Sequence, residues 1–230
     1  MERESDPVGA EVTRLKFFYS ETPYVVSYIF YEMNLPNKLT VFRFVLTALF
    51  LWVLFSPIRY NDTLALVFFS LAGATDFLDG WLARRHRLIT NFGVLMDPLA
   101  DKIMTCSAFI AFVESTRLDP HAPVKVAAWM VIIIVARELA ITGLRLLAAS
   151  KNVVLAAENF GKHKTVSQII TINALLVVNA CGEWPAPAQK FFLSWVPAFA
   201  QVMLWLTVVL TVVSGVIYLW RNRAIYLSDV

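Results

Sequence analysis

The chain has 230 residues and a formal net charge of +3, too small to suggest a nucleic-acid surface. Hydrophobic residues make up 58% and charged residues 16%, against roughly 45–50% and 25% in soluble domains, and mean hydropathy is +0.63. That excludes a soluble enzyme and a disordered chain, and leaves an integral membrane protein.

The first six residues, Met1 to Asp6, mix charges and lack the basic-then-apolar order of a secretory signal. Residues 14–33 are split by Pro23, and neither half is long enough to span a bilayer. Tyr19, Tyr24, Tyr28 and Tyr31 cluster there. Amphipathic rings favour the headgroup region, so an interfacial helix is expected, with a disordered tail as the alternative. Residues 1–33 are therefore read as a cytoplasmic or interfacial extension, and 34–230 as one membrane domain.

Six segments are long and apolar enough to span: about 40–57, 63–83, 92–114, 123–147, 164–182 and 191–220. The last is long enough to tilt, or to run out along the interface. The expected fold is an all-α bundle of six transmembrane helices. Lys38, Arg43, Arg84, Arg85, Arg87, Arg145, Lys151, Lys162, Lys164, Arg221 and Arg223 gather on one side, against Arg59, Arg117, Lys125 and Lys190 on the other. This asymmetry puts both termini in the cytoplasm. Cys106 and Cys181 form no metal or redox spacing and read as buried or boundary thiols.

The second and third segments carry acids. Asp76 and Asp79 are three residues apart and Asp97 and Asp101 four apart, so each pair shares one face of its helix. Counting inward from Arg84 and Phe92, Asp79 and Asp97 lie roughly 7 Å deep and Asp76 and Asp101 about 12–13 Å deep, at 1.5 Å per residue. If the helices are neighbours, the four carboxylates meet at two matched levels. Like charges in a bilayer cannot all stay ionised unaided. Hard divalent cations solve this, and an all-oxygen donor set suits Mg²⁺ or Mn²⁺. Gly80 and Gly93 leave room for a ligand or a neighbouring backbone, and Pro98 should loosen the third helix between its acids. Stray structural acids and a cation-transport pathway are the competing readings.

The pattern Asp76-x2-Asp79-Gly80-x2-Ala83-Arg84-x8-Gly93-x3-Asp97-x3-Asp101 resembles the signature of the CDP-alcohol phosphatidyltransferases at every defined position. The resemblance implies a six-helix membrane fold, usually dimeric. It also implies a two-metal site open to the cytoplasm, and transfer of a phosphatidyl group from a CDP-linked lipid to an alcohol with release of CMP. Asn34-Leu-Pro-Asn37-Lys-Leu-Thr40-Val-Phe-Arg43, the segment Ala136-Arg137-Glu138 to Arg145, and Gly161-Lys162-His163-Lys164-Thr165 are similar to segments of the bacterial phosphatidylglycerophosphate synthases of that family. This likeness implies CDP-diacylglycerol and glycerol 3-phosphate as substrates, in a bacterial inner membrane. The resemblance covers about 34–175, so the final helix receives no carried-over role.

Charge placement independently suits a phosphorylated acceptor. Arg137 lies in the middle of the fourth apolar segment, where a cation must be paired or functional. Adjacent helical residues do not face each other, so Glu138 is expected to be a poor direct partner. Arg145 lies eight residues on, on nearly the same face, and Lys162 and Lys164 begin the next helix on that side. Such a group suits an anionic phosphate, although the two lysines are also ordinary positive-inside residues. His163 reads as a loop or interface residue.

In the mechanism the resemblance implies, Asp76, Asp79, Asp97 and Asp101 hold two metals, and Asp101 accepts the proton of the attacking hydroxyl. Gly80 and Ala83 leave room for the nucleotide, and Arg84 holds the pyrophosphate. Asn37, Thr40, Arg43 and Thr90 are further candidates for contacts to the CDP-lipid. Phosphatidylglycerol (for cardiolipin), inositol phosphate or serine could be the acceptor with the same metal motif, and the basic group argues against free serine. From another class, a divalent-cation transporter would need polar groups continuing outward, but Leu64–Gly73 and Ser107–Val113 carry no acids.

Overall fold

The computed structural model describes residues 35–86, 91–119, 121–151 and 159–227, all helix or connecting turn. The expected interfacial helix within 14–33, and Thr90, lie outside the described residues. Among the described residues, six helices of 20 residues or more appear: α1 (Leu35–Leu54), α2 (Asn61–His86), α3 (Asn91–Leu118), α4 (Ala128–Ser150), α5 (Asn159–Ala180) and α7 (Val196–Arg221). A 3-10 turn, Cys181–Glu183, and the short α6 (Ala186–Leu193) link α5 to α7, and α8 (Arg223–Leu227) ends the described chain.

Among the described residues, three stretches are long and apolar enough to cross a membrane: Asn37–Leu54 in α1, His163–Glu183 along α5 and its 3-10 extension, and Val196–Arg221 in α7. They make the chain a membrane protein. In α2, α3 and α4 the apolar run is interrupted by charge: Asp76 and Asp79, Asp97 to Lys102, and Arg137, Glu138 and Arg145.

Two expectations about helix ends need correction. The segment 191–220 is not one helix. The chain breaks at Ser194 and Trp195, where Trp195 leaves helical geometry (φ −136°), and α7 restarts with Pro197 in its first turn. Proline is tolerated there because its missing N–H falls among the unpaired donors of a helix start. The fourth helix begins at Ala128 rather than near 123, because Pro123 to Ala127 run non-helically, with Ala127 extended at ψ 140°. By contrast, α3 continues as helix through Pro98.

The helices pack in a closed circuit, α1 on α2, α2 on α5, α5 on α7, α7 on α4, α4 on α3 and α3 back on α1. Phe50, Phe69, Met104, Phe109, Ile134, Ile172, Leu176 and Leu204 fill the interior. The Phe50 and Phe69 rings meet at 5.5 Å in a tilted pair. Outside, Trp52, Ile132, Leu139, Leu146, Val202, Val209 and Val216 are exposed, a face suited to hydrocarbon. Without a hydrophobic drive between helices in lipid, small hydroxyl residues take part in holding them. Between α5 and α7 the Thr171 and Thr207 hydroxyls meet at 2.8 Å, and between α2 and α5 Ser70 donates to Asn173 at 2.9 Å.

In the 3-10 turn after α5, Glu183 binds across to the start of α2. Its carboxylate accepts the N–H groups of Asp62 (3.0 Å) and Thr63 (2.9 Å) and the Thr63 hydroxyl. Trp184 Nε1 donates to the same hydroxyl oxygen at 3.0 Å. Two donors that a helix start leaves unpaired are thereby satisfied by a residue 120 or more positions away. Cys106 and Cys181 are both free thiols.

Candidate active site

The four acids of the signature lie on two helices, Asp76 and Asp79 on α2 and Asp97 and Asp101 on α3, as do Gly80, Ala83 and Arg84 on α2. Of the four acids, the side chain of Asp101 is within the described part and is partly buried; its carbonyl accepts the Thr105 hydroxyl at 3.0 Å. Four carboxylates in this pattern would offer an all-oxygen donor set, which suits hard divalent cations. α1 packs along both acid-bearing helices. It carries Asn37, Thr40 and Arg43 at three-residue intervals, so they fall on one side of the helix, and all three are buried. Arg43 is fully enclosed (0% exposed) and Thr47 bonds back to its carbonyl at 2.8 Å. Such a buried polar stripe is expensive in lipid, which makes this side of α1 a candidate wall of the site.

The second group of site residues centres on α4. Glu138 is buried, and its carboxylate accepts a bond from the Lys164 ammonium of α5, itself only 3% exposed. Arg137 Nη1 lies 3.4 Å from the same carboxylate oxygen, and Nη2 lies 3.4 Å from Ser214 Oγ on α7. The expectation that Glu138 is a poor partner for Arg137 is therefore corrected. Backbone spacing keeps adjacent Cβ atoms apart, but the long arginine stem swings sideways far enough for a loose contact. The closer partner of Glu138 is Lys164.

Arg137 is also shaped by what α7 omits. A Cβ at Gly215 would stand 3.0 Å from Arg137 Cγ, so glycine leaves the slot in which the arginine stem lies. Arg145, two turns further along α4, is exposed. Its Nε donates to the Tyr218 hydroxyl at 3.3 Å, and its guanidinium carbon lies 5.8 Å from the Tyr218 ring centre. The Lys102 ammonium, beside Asp101, reaches the Thr142 hydroxyl, which donates onward to the Glu138 carbonyl at 2.7 Å. Arg137 and Lys164 thus share Glu138 between α4, α5 and α7, Arg145 stands two turns away against Tyr218 of α7, and Lys102 joins α4 to the acid helix. The position of Lys162 is on α5, and its side chain lies outside the described part.

Sequence reasoning did not single out Glu138, Ser214, Gly215, Tyr218, Thr142 or Lys102 as parts of this cluster. Ser214-Gly215 inside an otherwise apolar helix was the available signal for α7.

A family model described as CDP-alcohol phosphatidyltransferase matches residues 33–213. A relative from Bacillus subtilis is 39% identical over 201 residues, covering 82% of this chain and 95% of its own length. One from Haemophilus influenzae is 30% identical over 201 residues, covering 86% and 98%. One from Escherichia coli K12 is 32% identical over 151 residues, covering 63% and 78%. All three bear the name CDP-diacylglycerol–glycerol-3-phosphate 3-phosphatidyltransferase. With the acid signature split across α2 and α3 and the match running through all but the last of the six long helices and into that one, this chain belongs to the CDP-alcohol phosphatidyltransferase family.

Proposed function

We propose that the protein transfers the phosphatidyl group of CDP-diacylglycerol to glycerol 3-phosphate, giving phosphatidylglycerol phosphate and CMP. The observation that carries this reading is the eight-position signature from Asp76 to Asp101, together with the name shared by the relatives. The cations of α4 and α5 support a phosphorylated acceptor over a neutral one.

Asp76, Asp79, Asp97 and Asp101 would hold two Mg²⁺ or Mn²⁺ ions, which when bound supply positive charge against the pyrophosphate. Asp101 accepts the proton of the glycerol hydroxyl. The hydroxyl oxygen then bonds to the lipid-linked phosphorus as the bond from that phosphorus to the CMP oxygen breaks. Gly80 and Ala83 leave space for the nucleotide, Arg84 binds the pyrophosphate, and Asn37, Thr40, Arg43 and Thr90 line the CDP-lipid side. Arg137, Arg145, Lys162 and Lys164 receive the phosphate of the acceptor, Arg145 from an exposed position and Lys164 from a buried one.

The fold that serves this chemistry is read as six transmembrane spans preceded by an interfacial helix within 1–33. Both termini and the site face the cytoplasm of a bacterial inner membrane, and the working unit is a homodimer. The site must open to lipid and water at once, since the acyl chains stay in the bilayer while the acceptor is soluble.

Purified protein in mixed micelles, given CDP-diacylglycerol and a panel of alcohols, tests the reading. Glycerol 3-phosphate should be consumed with divalent metal present and yield phosphatidylglycerol phosphate and CMP. Preference for serine, inositol phosphate or phosphatidylglycerol would overturn the acceptor assignment, and absence of CMP release with any alcohol would overturn the chemistry.

A further inference from the structure

The cluster on α4 contains more positive than negative charge. Two of its cations share one buried carboxylate, that of Glu138, which takes the Lys164 ammonium and lies 3.4 Å from Arg137, while Arg145 is held separately by the Tyr218 hydroxyl and Lys102 by the Thr142 hydroxyl. The Glu138 backbone adds a second tie, because its carbonyl holds Thr142 and Thr142 holds Lys102, the neighbour of Asp101. Glu138 therefore ties α4 directly to α5 and, through Thr142, to α3, and it stands beside a guanidinium that reaches α7.

In a site of low dielectric, unscreened like charges push long side chains apart, and a cation with no fixed partner samples many rotamers. A resident carboxylate changes this. It lowers the repulsion while no substrate is bound, and it aims the cations before the substrate arrives. At only 7% exposure, Glu138 has no free face for a phosphate, whose own negative charge it would repel.

We propose that Glu138 is the positioning residue of the acceptor pocket. Its carboxylate orients Lys164 and Arg137 toward the acceptor's phosphate without itself touching substrate. The inference rests on the acceptor assignment made above and names the residue that pre-organises it.

The test is steady-state kinetics of the full-length protein in mixed micelles, with each substrate varied separately. For Glu138→Gln the KM for glycerol 3-phosphate should rise roughly 10–100-fold, the effect of losing a charge-assisted bond. The KM for CDP-diacylglycerol should stay within about two-fold, and Glu138→Asp should restore part of the loss. A merely structural role would lower the active fraction, and hence kcat, and leave both KM values alone. Should Glu138→Gln not fold, Glu138→Asp, which keeps the buried pair's charge and shortens its reach, stands in its place. It should fold and raise the KM for glycerol 3-phosphate by a smaller factor while leaving that for CDP-diacylglycerol within about two-fold. An unchanged KM for glycerol 3-phosphate in a folded variant, or equal rises for both substrates, would overturn the inference. Wild-type turnover with a non-phosphorylated alcohol instead would overturn the acceptor reading, so the two failures are told apart by the wild-type product.

Discussion

Glu183→Ala tests the bond that pins the start of α2. The change strips three acceptor contacts at once, from the Asp62 and Thr63 amides at 3.0 and 2.9 Å and from the Thr63 hydroxyl. Loss of a helix cap costs about 0.5–2 kcal/mol, and bonds to a charged acceptor about 1.5–3 kcal/mol. Against this stands a relief. The Asp62 carboxyl is pushed up to about 6, first by burial and second by the Glu183 charge beside it, and removing Glu183 takes away that repulsion. The net loss should therefore be about 1–2 kcal/mol, or roughly 2–8 °C for a chain this size. Thermal unfolding in detergent, followed by tryptophan fluorescence, measures it, with Trp184 bonded into the same corner as a local reporter.

The pH dependence follows from the direction of the Asp62 shift. An acid whose folded pKa is raised favours the folded state while protonated, so its contribution is full below about 3.8 and is lost as pH rises through about 6. The wild-type protein should melt higher at pH 5 than at pH 7.5, and Asp62→Asn should remove most of that slope and melt higher at pH 7.5. If Glu183→Ala and the wild type melted together, the cap would be energetically empty and the reasoning wrong.

Four further outcomes are expected. Asp76→Asn, Asp79→Asn and Asp97→Asn should each abolish divalent-metal-dependent CMP release while the protein remains folded, and Asp101→Asn should keep CDP-diacylglycerol binding but lose about 10²–10⁴-fold in turnover, the range for a general base. Arg145→Ala should raise the KM for glycerol 3-phosphate roughly 10–150-fold and spare CDP-diacylglycerol, with lysine restoring only part because it lacks the planar fork. Gly215→Ala places a methyl 3.0 Å from Arg137 Cγ and should raise the same KM without lowering the melting temperature by more than a few degrees. In a background lacking Cys106 and Cys181, an impermeant thiol reagent on intact cells should label a cysteine near Arg117 to Pro123 and not one in Arg85-His86-Arg87; the reverse pattern would invert the topology.

Much of the architecture was legible because lipid imposes a length. Apolar runs of about 20 residues declare themselves, and each expected segment overlaps a long observed helix. Helix ends were less legible. The break before α7 lies in a run that is apolar but for Ser194, where Pro197 marks the restart and mean hydropathy is silent. The acid signature could be read from spacing alone, since its residues are close in sequence. The Glu138–Lys164 pair could not, because its partners stand 26 residues apart on different helices, and no periodicity links them. Ser214, Gly215 and Tyr218 escaped notice for a related reason. Their meaning comes from the arginines of α4 that lie against them, and α7 by itself is merely an apolar helix with small residues in it.

The slot that Gly215 leaves for Arg137 also bears on how the chain is made. Synthesis runs from the N-terminus, so α4 is made with a guanidinium at its middle long before the serine that meets it, 77 residues later, has been translated. Until then its companion is the loosely held Glu138 next door, and until α5 follows, that carboxylate lacks Lys164. The early helices must wait as an open ring with a costly charge at its gap. The last long helix closes the ring and covers the charge in one motion, so a chain that stops short of it keeps an arginine without the serine and the slot that receive it.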